Sequence, residues 1–371
     1  MIDNNCLGLI FANMHDNSLG ELTQNRTTGS VPFGGRYRMI DFALSNMVNS
    51  GISTVGVITK HNFASLMDHL GTGRNWDLAR KRGGLVMLPP YGRPGTGVYQ
   101  GRLDALCNAK GFLKKTREDY VVLSDANVIA NIDLSSVLDF HKSNNADITV
   151  VYKEMETSSL GGKFHTIKTK GEKVEDVLER VSEGGNHKVS LEIFVMKREL
   201  VLEICKETEM HALCSLTKDY LRPCLSKLKV CGYNFEGYAD MIGSQKNYYD
   251  ANMRLLDKEA RDELFNPQKP VYTKVRDDFP ASYGLAATAS GSLIADGCII
   301  EGRVENSVLF RGVTVEAGAV VRNSILMQGT KVGKNSDLNF VVADKNVIIG
   351  ENTALSGSMN YPVYFAKGKT V

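Results

Sequence analysis

The chain has 371 residues, 43% hydrophobic and 23% charged, with a net charge of +2. That length exceeds what one small core needs and points to two domains, and the near-neutral charge gives no chain-wide reason to expect a nucleic-acid or membrane surface as partner. Seven cysteines, odd in number and without a C-x-x-C pair, fit reduced, mostly buried thiols rather than a disulfide framework or zinc knuckle.

The first stretch, MIDNNCLGLIFANMHDN, lacks a basic start and its apolar run is too short to span a membrane, so a cytoplasmic location is expected. Short apolar, β-branched runs at 6–12, 53–58, 119–124 and 147–152 read as buried strands. Helices are expected between them at 38–50, 102–115 and 134–145. In the first, Ile40, Leu44, Met47 and Val48 recur at helical spacing and Gly51 stands at the C-terminal cap. This alternation predicts βαβ units and a mostly parallel sheet, a Rossmann-like α/β arrangement. Further on, strands are expected at 189–196 and 228–235 and helices near 198–207 and 244–258.

After Phe279-Pro280 helical periodicity stops. Positions 315, 332 and 349 begin equivalent V/I-x-x units 17 residues apart, and Ser307/Ser324, Leu309/Leu326, Gly312/Gly329 and Asn335/Asn352 keep that step. A period of about three hexapeptides with small corner residues predicts a short parallel β-helix of three or four coils leaning on the first domain; an antiparallel sandwich is the alternative. The expected organisation is a nucleotidyltransferase-like domain over 1–265, a linker over 266–285 and a β-helix over 286–371.

The block Val31 to Thr59, VPFGGRYRMIDFALSNMVNSGISTVGVIT, resembles the long signature of ADP-glucose pyrophosphorylases, also called glucose-1-phosphate adenylyltransferases. Val98-Tyr99-Gln100-Gly101 with Asp104-Ala105, Tyr120-Val121-Val122, Leu138-Asp139-Phe140-His141, and Tyr248 with Ala251-Asn252 continue the likeness over nearly the whole chain. The resemblance implies a Rossmann-like nucleotidyltransferase domain followed by a left-handed β-helix. It also implies a reaction that joins ATP and glucose 1-phosphate into ADP-glucose and pyrophosphate with Mg²⁺.

Such chemistry needs backbone N–H groups close to the phosphates, cations, and carboxylates for the metal. The family's A-G-G-x-G-x-R-L turn reads Ala12 to Leu19 here, with Asn13, Met14 and Asp16 in the turn and Ser18 at the arginine. Thr28-Gly29 replaces a lysine-proline pair, and Arg102-Leu103 replaces Thr-Ala between the retained Gly101 and Asp104. Asn127 and Met241 fall on the two metal-ligand positions, an amide and a thioether in place of hard oxygen anions. Asp125 and Asp240 each lie one residue away, which on a strand means the opposite face. The E-K-P segment has no counterpart near 175–195, and only Ser190-Leu191-Glu192-Ile193-Phe194 echoes the S-x-G-x-Y-x-F strand that follows it.

Read with the family, these losses imply a catalytically deficient regulatory subunit of the type found beside a catalytic subunit in Gram-positive bacteria, in a hetero-oligomer expected to be a heterotetramer. No cofactor is expected on this chain, and Mg²⁺ is expected in its partner. The alternatives are weak or altered nucleotidyl transfer supported by Asp125 or Asp240, and a stand-alone metabolite sensor or scaffold. A β-helix acyltransferase fits poorly, since no histidine follows His211.

The seven histidines (15, 61, 69, 141, 165, 187 and 211) form no ligand-spaced pair and read as core or surface residues. The loop 92–97 does not open from a strand into a helix as a P-loop does. Between Gly71 and Leu103, Arg74, Arg80, Lys81, Arg82, Arg93 and Arg102 face only Asp77. With Arg36 and Arg38 they are the candidate site for an anionic effector, a solvated face being the plainer reading.

Overall fold

The computed structural model describes residues 5–14, 16–90, 99, 101–158, 160–181 and 184–371. His15, Val98, Gln100 and the loop 92–97 with Arg93 lie outside them. Strands β1 (Cys6–Phe11), β2 (Thr54–Ile58), β3 (Gly84–Leu88) and β4 (Tyr120–Asp125) stand parallel in the order β3-β2-β1-β4. Helix α1 (Met39–Asn49) connects to β2 and buries Ile40, Leu44 and Met47, and α2 (Ala64–Leu70) lies between β2 and β3 in the chain. Asp41 returns its carboxylate to the Arg38 N–H at 2.9 Å, closing the start of α1, and Gly51 just past its end has φ +78°. The strands expected at 6–12, 53–58 and 119–124 and the helix expected at 38–50 are thus present within a residue or so at each end.

The sheet continues beyond β4. A short strand, β5 (Val128–Ala130), leaves it, and β6 (Ile148–Glu156), β7 (Lys163–Lys170), β8 (Lys173–Val181), β9 (Asn186–Lys197) and β10 (Val230–Asn234) complete nine strands in the order β3-β2-β1-β4-β9-β6-β10-β8-β7. Strand β9 runs antiparallel to both β4 and β6. The sequence missed β3 and the β7–β8 hairpin, whose Lys- and Glu-rich strands bury only Phe164, Ile167, Val174 and Val177 as their main apolar anchors. Cross-strand pairing overrides the low strand propensity there.

The helix expected over 102–115 is two, α3 (Arg102–Asn108) and α4 (Lys110–Lys115). Asn108 Nδ2 donates to the Asp104 carbonyl at 3.0 Å, the local side-chain competition that ends a helix. Helices α5 (Leu134–Ser143) and α6 (Arg198–His211) follow. The one expected over 244–258 is α7 (Gln245–Arg254) and then α8 (Lys258–Leu264), restarted by the Asp257 carboxylate on the Glu259 N–H. Strand β11 (Ala239–Met241) pairs antiparallel with β5.

From Ser282 the chain winds into a left-handed β-helix with three parallel sheets of five strands each, which excludes the sandwich and raises the coil number to five. Ile300, Val315, Val332 and Ile349 stack inward, the first two only fifteen residues apart, a step too irregular for the 17-residue pattern to reveal. The serine repeat is a buried ladder: Ser307 Oγ accepts from Ser324 N, and Ser324 Oγ from Val341 N, each at 3.1 Å. Phe33, Tyr248, Val308, Phe310, Ile325 and Met327 share one core cluster that joins the two domains. No described helix is long and apolar enough to cross a membrane.

Candidate functional site

The parallel order reverses between β1 and β4, and ligands of open α/β sheets bind beyond the carboxyl ends of strands at such a switch point. Three groups of side chains meet there. The first is the turn after β1. Asp16 Oδ1 accepts from both the backbone N–H and the hydroxyl of Thr28, each at 2.7 Å, while Gly29 N donates to Ala12 O at 2.9 Å. The turn thus supplies its own carboxylate to an amide at the start of a 3-10 turn (Thr28–Ser30), where backbone N–H groups would otherwise face an incoming anion. Asn13 is buried and neither of its amide atoms has a hydrogen-bond partner among the described residues. Met14 packs against the apolar core under α3 and α6, and Ser18 is exposed.

The second group fills the cleft. Gly101 precedes α3 so closely to the 212–216 connection that a Cβ there would lie 2.3 Å from Cys214 O, and this contact delivers Arg102 over the ends of β1 and β4. The Arg102 guanidinium reaches Asp125 at 2.5 Å and Glu192 at 2.6 Å, with its carbon 5.6 Å from the Phe11 ring centre and 5.9 Å from that of Phe194. His165 Nδ1 adds a 2.8 Å contact to the other Glu192 oxygen. Asp125 and Glu192 are both buried. Burial opposes the charge on Arg102, but the two carboxylates outweigh it and hold the guanidinium's pKa above the usual arginine value. For His165 as well, burial is outweighed by Glu192, and its pKa rises.

Glu192 has φ +53° at a bulge where β9 slips register against β6 between Ser190 and Ile193. In the S-x-G pattern that Ser190 opens, Glu192 stands on the glycine. A left-handed conformation suited to glycine is therefore carried by a residue whose carboxylate is aimed into the cleft. The sequence reading identified Arg102 as a departure but missed Glu192 and His165. The available signal was a lone acid on the glycine position, just before the apolar run Ile193 to Met196.

The third group is the pair of metal positions. Asn127 and Met241 lie on paired chain segments, but Asn127 bonds to the neighbour of Met241: Ile242 N donates to Asn127 O at 2.9 Å, and Asn127 Nδ2 to Ile242 O at 3.2 Å. Met241 is buried in the core, and Asn127 Oδ1 has no partner among the described residues. Asp240 points elsewhere, bonded to the Tyr238 hydroxyl and to Arg254 at 2.5 Å, and burial raises its pKa. Among the described residues no group of three or more histidine, cysteine or carboxylate side chains is arranged to hold a metal. A hard divalent cation does not fit the amide and thioether that remain.

The candidate effector cluster is divided by the fold. Arg74, Arg80, Lys81 and Arg82 are exposed; Arg80 turns back to Asp77 at 2.6 Å, and Arg82 lines a separate groove with Lys115 and Arg117. Arg102 belongs to the cleft. Arg36 and Arg38 instead line a pocket between the domains with Lys274, Arg276, Arg311 and Lys345, four cations that lie in or beyond the linker. Arg38 donates to the Ser65 carbonyl at 2.6 Å. Arg311 is buried with Nε 3.7 Å from Asp296 and 3.8 Å from Asp278, and its Nη2 meets no acceptor among the described residues. Burial, reinforced by Arg38, Arg26 and Arg276, lowers the Lys345 pKa to about 7.

Comparison with known proteins agrees with this architecture. Residues 16–258 match the nucleotidyl transferase family and residues 279–358 the GlmU-like C-terminal hexapeptide family. The chain is 33% identical to the glycogen biosynthesis protein GlgD of Bacillus subtilis (strain 168), over 99% of this chain and 97% of that protein. It is 33% identical to the glucose-1-phosphate adenylyltransferase of Bacillus thuringiensis (strain Al Hakam) and 32% to that of Bacillus cereus (strain Q1), in each case over 98% of both chains. A nucleotidyltransferase sheet, a hexapeptide β-helix and end-to-end identity at this level place the chain in the ADP-glucose pyrophosphorylase (glucose-1-phosphate adenylyltransferase) family of glycogen biosynthesis.

Proposed function

We propose that the chain is a catalytically deficient, cytoplasmic regulatory subunit that assembles with a catalytic ADP-glucose pyrophosphorylase subunit, as a heterotetramer, and modulates it. One observation carries this reading: the cleft at the switch point is occupied by the chain's own Arg102, neutralised by Asp125 and Glu192. The guanidinium takes the volume and the charge balance that a sugar phosphate and a metal would need. Asp125 and Asp240, the carboxylates that residual chemistry would call on, are committed to Arg102 and Arg254. The pure chain, assayed with ATP, glucose 1-phosphate and Mg²⁺, is expected to form ADP-glucose at least about a thousandfold more slowly than an active family member, the order lost when charge-stabilising groups are removed from phosphoryl transfer. Added to a catalytic subunit, it is expected to change that subunit's rate or effector response. Turnover by the chain alone at an ordinary family rate defeats the reading.

The interdomain pocket is the natural seat of an anionic effector, since cations from the first domain, the linker and the β-helix converge there. With its pKa near 7, Lys345 loses its proton at mildly alkaline pH, whereas in the unfolded chain it titrates near 10.4. Between those values the unfolded state holds the extra proton, so this lysine makes stability rise with pH. A bound anion favours the charged form and reverses that trend. Sulfate, whose charge is constant over this range, should therefore bind more tightly as pH falls from about 8.5 to about 6.5, at most about tenfold per unit for one proton taken up. Lys345→Met should flatten the dependence in calorimetric titrations; an unchanged slope removes the lysine from the site.

A further inference from the structure

Cys107, in the last turn of α3, is half-buried and lines an open cavity of about 620 Å³. Val86 and Leu88 of β3 and Phe112 of α4 form the apolar wall, and Lys110, Lys114 and Lys115 supply cations. Lys110 is paired with Glu209 of α6 at 2.7 Å. Behind Cys107 lies Cys205 of α6, fully buried. The Cys107 thiol donates to the Cys205 backbone carbonyl at 3.6 Å, which sets the two cysteine side chains against each other. Neither thiol takes part in the cleft or the interdomain pocket.

We infer that Cys107 is a thiol–disulfide exchange site that takes small anionic disulfides from the cavity, with Cys205 as the resolving thiol.

Access divides the two roles. Cys107 reaches the cavity while Cys205 is fully buried, so an incoming disulfide meets Cys107 first, and the lysines beside it attract carboxylates on that disulfide. The contact between the two thiols lowers the Cys107 pKa and, with burial, raises that of Cys205. In the first step the Cys107 thiolate attacks one sulfur of the small disulfide, whose S–S bond breaks and releases one thiolate. In the second, Cys205 gives up its proton and attacks the Cys107 sulfur, expelling the other half. The two protein thiols lose two electrons, the small disulfide gains them, and the two thiol protons leave on its two halves. The product is a staple between α3 and α6, one and a half turns from Arg102.

The test uses the full chain with oxidised glutathione as probe. Differential alkylation of the unmodified chain is expected to label Cys107 at least tenfold faster than the half-buried Cys214. After oxidation, peptide mapping should place a single intramolecular bond between Cys107 and Cys205, with the intact mass lower by two hydrogens. Cys205→Ser should stop the reaction at a glutathione adduct on Cys107, and Cys107→Ser should leave Cys205 unmodified. An adduct on Cys214 or Cys224 with Cys107 untouched overturns the inference, as does an adduct that persists on Cys107 while Cys205 is present. The alkylation rates are read on the unmodified chain, and equal rates at Cys107 and Cys214 overturn the assignment even where a serine variant fails to fold.

Discussion

Arg102→Ala should destabilise the chain by about 3–5 kcal/mol, the usual cost of leaving buried charge without its partner. The removed guanidinium spans two carboxylates from different strands, Asp125 at the end of β4 and Glu192 at the bulge of β9, and both are buried. Glu192 keeps His165 at 2.8 Å, but a buried carboxylate deprived of its guanidinium is expected to take a proton more readily when folded than when unfolded. A carboxyl pKa raised by folding gives stability that is full at acid pH and fades as pH rises through the folded value. The deficit relative to the parent chain should therefore be smaller near pH 5 than near pH 8, a comparison available from urea denaturation at both. Adding Glu192→Gly should recover about 1–3 kcal/mol, because it removes one of the two carboxylates that lost the guanidinium and places glycine where φ is +53°. A double variant no more stable than Arg102→Ala would show that Glu192 and Arg102 are not energetically coupled.

The same pair marks where sequence reading reaches its limit. The Val31 to Thr59 block was legible because its information is local: helical spacing buries Ile40, Leu44 and Met47, Gly51 follows the helix end, and an apolar run forms β2. The glycine-free turn, Asn127 and Met241 were legible as substitutions, and the fold pairs the chain segments that carry the last two. What the substitutions do was not legible. Arg102 and Glu192 are 90 positions apart, and the bulge that turns Glu192 inward is set by register against β6, which no local pattern encodes. In the sequence Asp16 stands only as a replacement in the glycine turn, yet in the fold its carboxylate accepts from the Thr28 N–H and hydroxyl. The interdomain pocket of cations escaped for a similar reason: the cations near Arg80 are contiguous in sequence but spread over the surface, whereas Arg38, Arg276, Arg311 and Lys345 meet only when the β-helix docks.

That docking rests on one buried ion pair as well as on apolar packing. Arg26 Nη2 contacts both oxygens of Asp344, at 2.7 and 2.8 Å, and the two side chains are almost wholly buried between the nucleotidyltransferase domain and the β-helix. Asp344→Ala is expected to cost about 3–5 kcal/mol, since it strands a guanidinium that cannot shed its proton. Replacing both residues by apolar ones, Arg26→Met with Asp344→Leu, should cost less than the single change, because neither charge is then left unpaired. The loss should appear first as uncoupling of the domains. Trp76, the only tryptophan, is buried against His69 in the first domain, so its fluorescence follows that domain alone, while far-ultraviolet circular dichroism follows both. In Asp344→Ala the two denaturation curves should separate more widely than in the parent chain. The Lys345 pKa should also fall further once the neighbouring carboxylate is gone, weakening sulfate binding at neutral pH. If the curves stay together and the midpoint is unmoved, the apolar cluster around Phe33, Tyr248 and Phe310 holds the domains by itself, and the ion pair contributes nothing net to their docking.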